Sequence, residues 1–223
     1  MELIRNGADR DAIDAMSTMY PCRLEVIAAR RTLTDGPWTG YGYVVSGTAR
    51  IVAAGLTVQG DAGTFFCLPA PIEIEPQSQG RVALVQRFGF RGVPSVGRIE
   101  ATGRLAYIDG CSDTMLVAPP RLGDPVLNHL HFPAGIEQTR HIHPSIRLGV
   151  VARGSGVAFG PGWEEPLETG HAFLIHAHEP HSFRTGAGAS MDVIAFHPDS
   201  DWGPTDGVHP MKNRTYLSGP GHG

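Results

Sequence analysis

From Leu24 onward the apolar residues come in short runs broken by glycine and proline. In the first half these are Leu24 to Ala29, Tyr41 to Val45, Ala49 to Ala53, Gly63 to Leu68 and Arg81 to Phe88. The same texture returns in Arg104 to Ile108, Met115 to Val117, Val126 to Phe132, Arg147 to Val151, Gly156 to Phe159, His171 to His176 and Met191 to Phe196. Runs of this length, rich in Val, Ile, Phe and Tyr and recurring about every ten residues, predict the strands of a sandwich or barrel. No long helical pattern alternates with them, which disfavours a parallel α/β sheet. One stretch reads as helix: residues 8–18 put Ile13 and Met16 on one face and acidic residues near the start, as a short lid or edge cover. The expected class is all-β with a short N-terminal helix.

The two series of runs are separated by Phe90-Arg91-Gly92-Val93-Pro94-Ser95-Val96-Gly97, which reads as a hinge between halves. An offset of 107 residues aligns them, superposing Gly42-Tyr43-Val44 on Gly149-Val150-Val151, Gly47 on Gly154 and Gly63 on Gly170. All these coincidences fall where a turn or strand is expected, so the halves read as two similar β-units in tandem.

Composition adds exclusions. The 29 glycines and 18 prolines suit many short strands and tight turns better than a helical bundle. A formal charge of -4 with no basic run gives no footprint for nucleic acid or for an anionic membrane surface, so neither partner is expected. The N-terminal residues carry no apolar targeting core and no window is apolar enough to span a bilayer, which points to a cytoplasmic protein. Cys22, Cys67 and Cys111 are odd in number and widely spaced, without a Cys-x-x-Cys pair. They are expected to pack, not to form disulfides or a zinc knuckle.

The candidate chemistry lies in the second half. All eleven histidines fall between His129 and His222. Strand side chains alternate faces, so His141 and His143 point the same way, together with Ser145 and Arg147, if this segment is extended. His181 follows a Glu179-Pro180 turn that can fold it back beside the pair. Three neutral imidazoles suit Fe(II), Ni, Cu, Mn or Zn and leave coordination positions open. His176 and His178, and the pair His129 and His131 on the preceding run, are further candidates for the same cavity. His197, His209 and His222 read as surface hydrogen-bonding residues.

The stretch from Gly135 to His181 resembles the cupin superfamily. Gly135, His141, His143 and Gly154 fall at the spacing of the first cupin motif, with Arg147 in the place of its glutamate. Gly170 and His181 fit the second motif, where His176 and His178 replace its proline and glycine and Thr185 its asparagine. Carried back by 107 residues, the ligand positions fall on Thr34, Gly36, Gly40 and Ile74, so the first half resembles a cupin barrel without a metal site. The resemblance implies tandem jelly-roll (double-stranded β-helix) barrels: a degenerate unit over residues 1–95 and a metal-bearing unit over 96–223, joined as a homodimer of such chains.

It also implies His141, His143 and His181 as ligands of a divalent transition metal, Fe(II) first and Zn, Ni, Mn or Cu as alternatives. Arginine is protonated at working pH and offers no lone pair, so Arg147 is expected to orient a substrate anion beside the metal. The implied function is a metal-dependent enzyme, dioxygenase-like, on a small anionic organic substrate, with His178 as a second catalytic candidate. The alternatives are lyase, cyclase or isomerase chemistry on the same metal, with His176, His178 or Glu179 as general base, or a ligand-binding module without catalysis. Residues 199–211 are loop-like and expected to cover a barrel mouth, with Trp202 or His209 near the ligand.

Overall fold

A computed structural model describes residues 1–7, 11–53 and 55–200. In chain order the strands are β1 (Glu2–Ile4), β2 (Ala12–Ala15), β3 (Cys22–Ile27), β4 (Arg31–Leu33), β5 (Trp38–Ala53), β6 (Leu56–Asp61), β7 (Thr64–Pro69), β8 (Ile72–Phe88) and β9 (Ser95–Arg98). They continue with β10 (Leu105–Ala106), β11 (Ser112–Val117), β12 (Val126–Phe132), β13 (Arg147–Gly160), β14 (Trp163–Glu168), β15 (Ala172–Ile175), β16 (Ser182–Arg184) and β17 (Met191–His197). Among the described residues the one helical element is a single 3-10 turn, Ile108–Gly110.

The strands form two antiparallel sheets. The first runs β2-β3-β8-β5-β7-β9, with β4 on β8 and β6 on β5. The second runs β1-β15-β13-β17-β12-β11-β10, with β14 and β16 on β13. Two pairings cross the expected 95/96 division: β9 lies on β7 and β1 lies on β15.

Alternation sorts the side chains into three cores. Phe66, Leu68, Ile72, Ile74 and Leu84 fill the inside of the first sheet, and Phe132, Phe173, Ile175, Phe183 and Val193 that of the second. The opposite faces of both sheets meet in a third cluster, where Leu24, Tyr41, Tyr43 and Val85 pack against Leu127, Leu148, Ile194 and Phe196. Tyr41 and Phe196 join the halves directly, their ring centroids 4.7 Å apart. Strands covered on both faces must be apolar almost throughout, which explains the continuous runs in the sequence.

The 107-residue correspondence extends to the strands themselves. β6 and β14 occupy equivalent residues, and β5 and β13 each run as one long strand where two were expected. Gly42 faces Phe66 across β5 and β7, and a Cβ there would overlap the ring. Gly149 and Phe173, their counterparts, repeat the arrangement on β13 and β15. Gly47 and Gly154 both have positive φ, at 60° and 75°. In Gly154→Ala the new Cβ would run into the Ser190 carbonyl oxygen as well as straining the backbone. The expected cost is about 2 kcal/mol or more, read as a lower thermal midpoint, whereas an unchanged midpoint would contradict this packing.

The expected helix is not formed. Residues 8–10 lie outside the described residues, and residues 12–15 of the same stretch are strand β2, paired with β3 through Ile13 and Leu24. The period is two: Ile13 and Ala15 are buried, Asp14 is exposed, and Met16 is 43% exposed. The Asp14 carboxylate accepts a hydrogen bond from the Met16 N–H in a local turn, so tertiary pairing overrides a weak helical pattern. All three cysteines are buried and unpaired.

Candidate metal centre

His141, His143 and His181 come together at the mouth of the second sheet. One ring nitrogen from each lies within 4.8 Å of the others, close to the separation of about 3–4 Å required of ligands roughly 2.1 Å from a single ion. The ring centroids are 4.5 Å apart for His141 and His181, 5.0 Å for His141 and His143 and 5.1 Å for His143 and His181.

The backbone fixes this geometry. His141 and His181 form an isolated antiparallel bridge, each N–H donating to the other's carbonyl at 3.0 Å. The His178 N–H donates to the His143 carbonyl at 2.8 Å, tying the third histidine to the same turn. Ile142, between the paired histidines, is 54% exposed, as alternation requires.

Two of the tautomers follow from the partners. The Nδ1 of His141 lies 2.9 Å from the Thr139 carbonyl and that of His181 lies 2.8 Å from the Glu179 carbonyl. A carbonyl only accepts, so both Nδ1 atoms carry the proton and both Nε2 lone pairs are left for a ligand role. Burial, reinforced by the charges of Arg147 and the other two histidines, pushes His143 down to about 3. Burial also pushes His181 down to about 4, against the opposing pull of the Glu179 carbonyl. Both are therefore neutral at pH 7 and fit a cation.

These shifts have a consequence for the metal-free protein. Unfolded histidines take up protons near 6.5, whereas His143 and His181 resist protonation in the fold. Between about 4 and 6.5 the unfolded chain binds more protons, so stability is highest above this window and falls as pH drops through it. Thermal melts in chelator should show the midpoint decreasing from pH 7 to pH 4. A flat profile would mean that the imidazoles are not held neutral.

The histidines open onto a cavity of about 120 Å³. Its apolar wall includes Leu130, Phe132, Phe173, Ile175 and Phe183, and its polar lining includes Arg147, His197, Tyr107, Asp113, Asn128 and Gln138. Arg147 lines the cavity, with its side chain 12% exposed. Its Nη1 donates to the Ser145 Oγ at 2.6 Å and the Ile146 carbonyl at 3.0 Å, and lies 3.9 Å from the Asp199 carboxylate. Three acids that could have paired with it on the surface are placed elsewhere: Glu165 with Arg5, Glu168 beside His171 and Asp192 with Arg153.

Other expectations are redistributed. His197 was expected at the surface, yet it lines the cavity, its ring centroid 6.2 Å from that of His143. Burial, with the nearby charges of Arg147 and His143, pushes its pKa well below the ordinary value. The sequence signal was its place in β17, where Val193, Ala195 and His197 share the inward face. His178 and His176 are exposed and do not line the cavity. The Glu179 carboxylate accepts the His176 N–H at 2.9 Å and the amine of Met1, so it too is turned away.

His129 and His131 do share a face of β12, but it is opposite to that of Asn128, Leu130 and Phe132, which line the cavity. Both imidazoles instead meet Asp192, at 2.8 and 2.9 Å, with Arg153 on its other oxygen. Burial works against the charge of Asp192, but these hydrogen bonds outweigh it and hold the carboxyl below its ordinary range. Trp202, His209 and His222, and all but the first two residues of the expected covering segment, lie outside the described residues. In the first half, Thr34 is exposed, Ile74 is buried in the apolar core, and the space beside Gly40 is filled by Ile72, Leu84 and Trp38.

The family model described as the AraC-like ligand binding domain matches residues 134–222, a segment that carries all three histidines and Arg147. No curated protein gives a significant match. A cupin 2 conserved barrel domain protein from Leptotrichia buccalis is similar in structure, at a TM-score of 0.61 and 17% identity, covering 87% of this chain and 88% of that one. The salicylate 1,2-dioxygenase G106A mutant from Pseudoaminobacter salicylatoxidans, in complex with gentisate, aligns at a TM-score of 0.62 and 12% identity, covering 86% and 75%. At these identities the likeness establishes architecture: the chain is an all-β protein of the cupin fold.

Proposed function

We propose that this chain is a metal-dependent enzyme acting on a small anionic organic molecule, with Fe(II)-dependent dioxygenation as the leading chemistry. The observation that carries the reading is the convergence of three imidazoles on one point, two with Nδ1 against a backbone carbonyl, at the mouth of a largely apolar cavity. His141, His143 and His181 would hold the ion, and an Fe(II) there would supply redox access to O2 beside the substrate. Arg147 holds the anionic group, using its fixed charge at the cavity wall. The wall of Leu130, Phe132, Phe173 and Phe183 excludes water from the reacting centre. His178 acts through its backbone, keeping the His143 carbonyl in place. In this reading the chain is a bicupin, with a filled N-terminal unit that buttresses a metal-bearing C-terminal one. The structural similarity to a salicylate 1,2-dioxygenase holding gentisate, a hydroxylated carboxylate, supports the anionic substrate.

A second reading is a small-ligand-binding cupin without catalysis, favoured by the match of residues 134–222 to a ligand-binding family. Oxygen uptake by the Fe(II)-loaded protein across a panel of small carboxylates separates the two. Uptake coupled to loss of one carboxylate is expected. Turnover without uptake would move the function to lyase, cyclase or isomerase chemistry, and tight binding with the ligand unchanged would favour the binding module.

A further inference from the structure

The cavity lining includes hydrogen-bond acceptors that nothing among the described residues uses. Asn128 is 7% exposed and Gln138 is 4% exposed, and both line the cavity. The Asn128 amide donates to the Asp113 Oδ2 at 2.6 Å, which fixes its orientation and leaves its Oδ1 as an acceptor. That Oδ1, the Asp113 Oδ1 and the Gln138 Oε1 are all buried and accept no hydrogen bond among the described residues. Leaving a buried acceptor unmade is costly, and three such atoms on one small cavity call for a common cause.

Their placement supplies one. Asn128 is on β12 and Asp113 on its neighbour β11, while Arg147 is on β13, with β17 between β13 and β12. At about 4.8 Å per strand Asn128 starts roughly 10 Å and Asp113 roughly 14 Å from the strand that carries the cation, while Gln138 is held beside β16 by its N–H donating to the Phe183 carbonyl at 2.9 Å. Tyr107 lines the same cavity, its hydroxyl pKa raised by burial and by the Asp113 charge against the opposing charge of Arg147. Along the sheet the cavity thus carries the guanidinium on β13 and the Asn128 and Asp113 acceptors two and three strands away.

We propose that Asp113, Asn128 and Gln138 form a donor-reading wall, so that the ligand is bifunctional: an oxyanion at the Arg147 and histidine side and a hydroxyl or amine directed at the acceptors. This deepens, and rests on, the assignment of the cavity as the site for a small anion. The wall acts in specificity. A molecule lacking the donor leaves three acceptors desolvated and unpaired, a penalty far larger than the loss of one apolar contact. The cavity volume, below the 300–1,000 Å³ of drug-sized sites, restricts the ligand to a compact acid.

The test compares matched pairs of probes by calorimetry on the metal-loaded protein: plain carboxylic acids of about three to six carbons, their ω-hydroxy and their ω-amino counterparts, and benzoate against 4-hydroxybenzoate. For at least one pair the donor-bearing acid should bind about tenfold tighter or more, and that ratio should fall towards one in Asn128→Leu and in Gln138→Met. The hydroxy and amino arms identify which donor is read. If Asn128→Leu does not fold, because Asp113 loses its partner, Gln138→Met carries the measurement. Equal or no binding across every pair, or a ratio that survives in the folded variants, overturns the proposal. Failure to retain metal instead counts against the metal-dependent reading, and the same ratio measured on metal-free protein still decides the donor wall.

Discussion

Replacing His181 with alanine is expected to weaken metal affinity by about a hundredfold or more, and His141→Ala should do the same. Each imidazole would supply one of three donors, and the remaining pair could not close a tetrahedral or facial set without recruiting solvent. The two variants control for each other. His181 is 1% exposed, so its truncation leaves a void in the wall, whereas His141 is half-buried and its loss perturbs packing less. Metal content by elemental analysis and competition titration against a chelator gives the affinity. Thermal melts give an independent reading, because an ion at a hundred times its Kd stabilises the fold by about 2.7 kcal/mol. That increment should vanish in both variants. Full metal content in both would show that the three imidazoles do not form a site.

Much of this centre is legible in the sequence because its parts obey local rules. His-x-His places two rings on one side wherever the chain is extended, and the exposed Ile142 between them is the check. The turn before His181 returns the third ring through the backbone bridge with His141. The glycine frame at 107 residues is similarly readable, since Gly149 and Gly42 each make room for a particular aromatic ring on the facing strand. What escapes a local reading is the sidedness of a strand buried on both faces. On β12 the histidines and the leucine, asparagine and phenylalanine positions alternate, but nothing local indicates which set faces the cavity. His129 and His131 turn to Asp192, which lies 61 residues or more away in sequence. His197 fails for the same reason, its inward direction set by the pairing of β17 with β12 and β13. The helix expected over residues 8–18 fails because pairing with β3 outweighs a short stretch of indifferent propensity.

Arg147→Met should leave the metal in place and weaken binding of a small carboxylate by about ten- to a hundredfold. The guanidinium is held at the cavity wall by its hydrogen bonds to the Ser145 Oγ and the Ile146 carbonyl, so its position does not depend on the ligand. Its field reaches the ligand cluster, for the same charge contributes to depressing His143, His181 and His197. A unit charge about 6 Å from an anion at an effective dielectric near 20 is worth about 3 kcal/mol, which sets the upper end of the expected loss. Arg147→Lys should recover only part of it, because an ammonium provides the charge without the planar fork that pairs both carboxylate oxygens. The position corresponding to Arg147 in the first half is Gly40, where Ile72, Leu84 and Trp38 occupy the space and no charge is present. Calorimetric titration of a carboxylate into the metal-loaded wild type and both variants gives the order wild type, Lys, Met. Equal affinity in all three would remove Arg147 from anion recognition, and loss of metal in Arg147→Met would make it a structural support of the histidines instead.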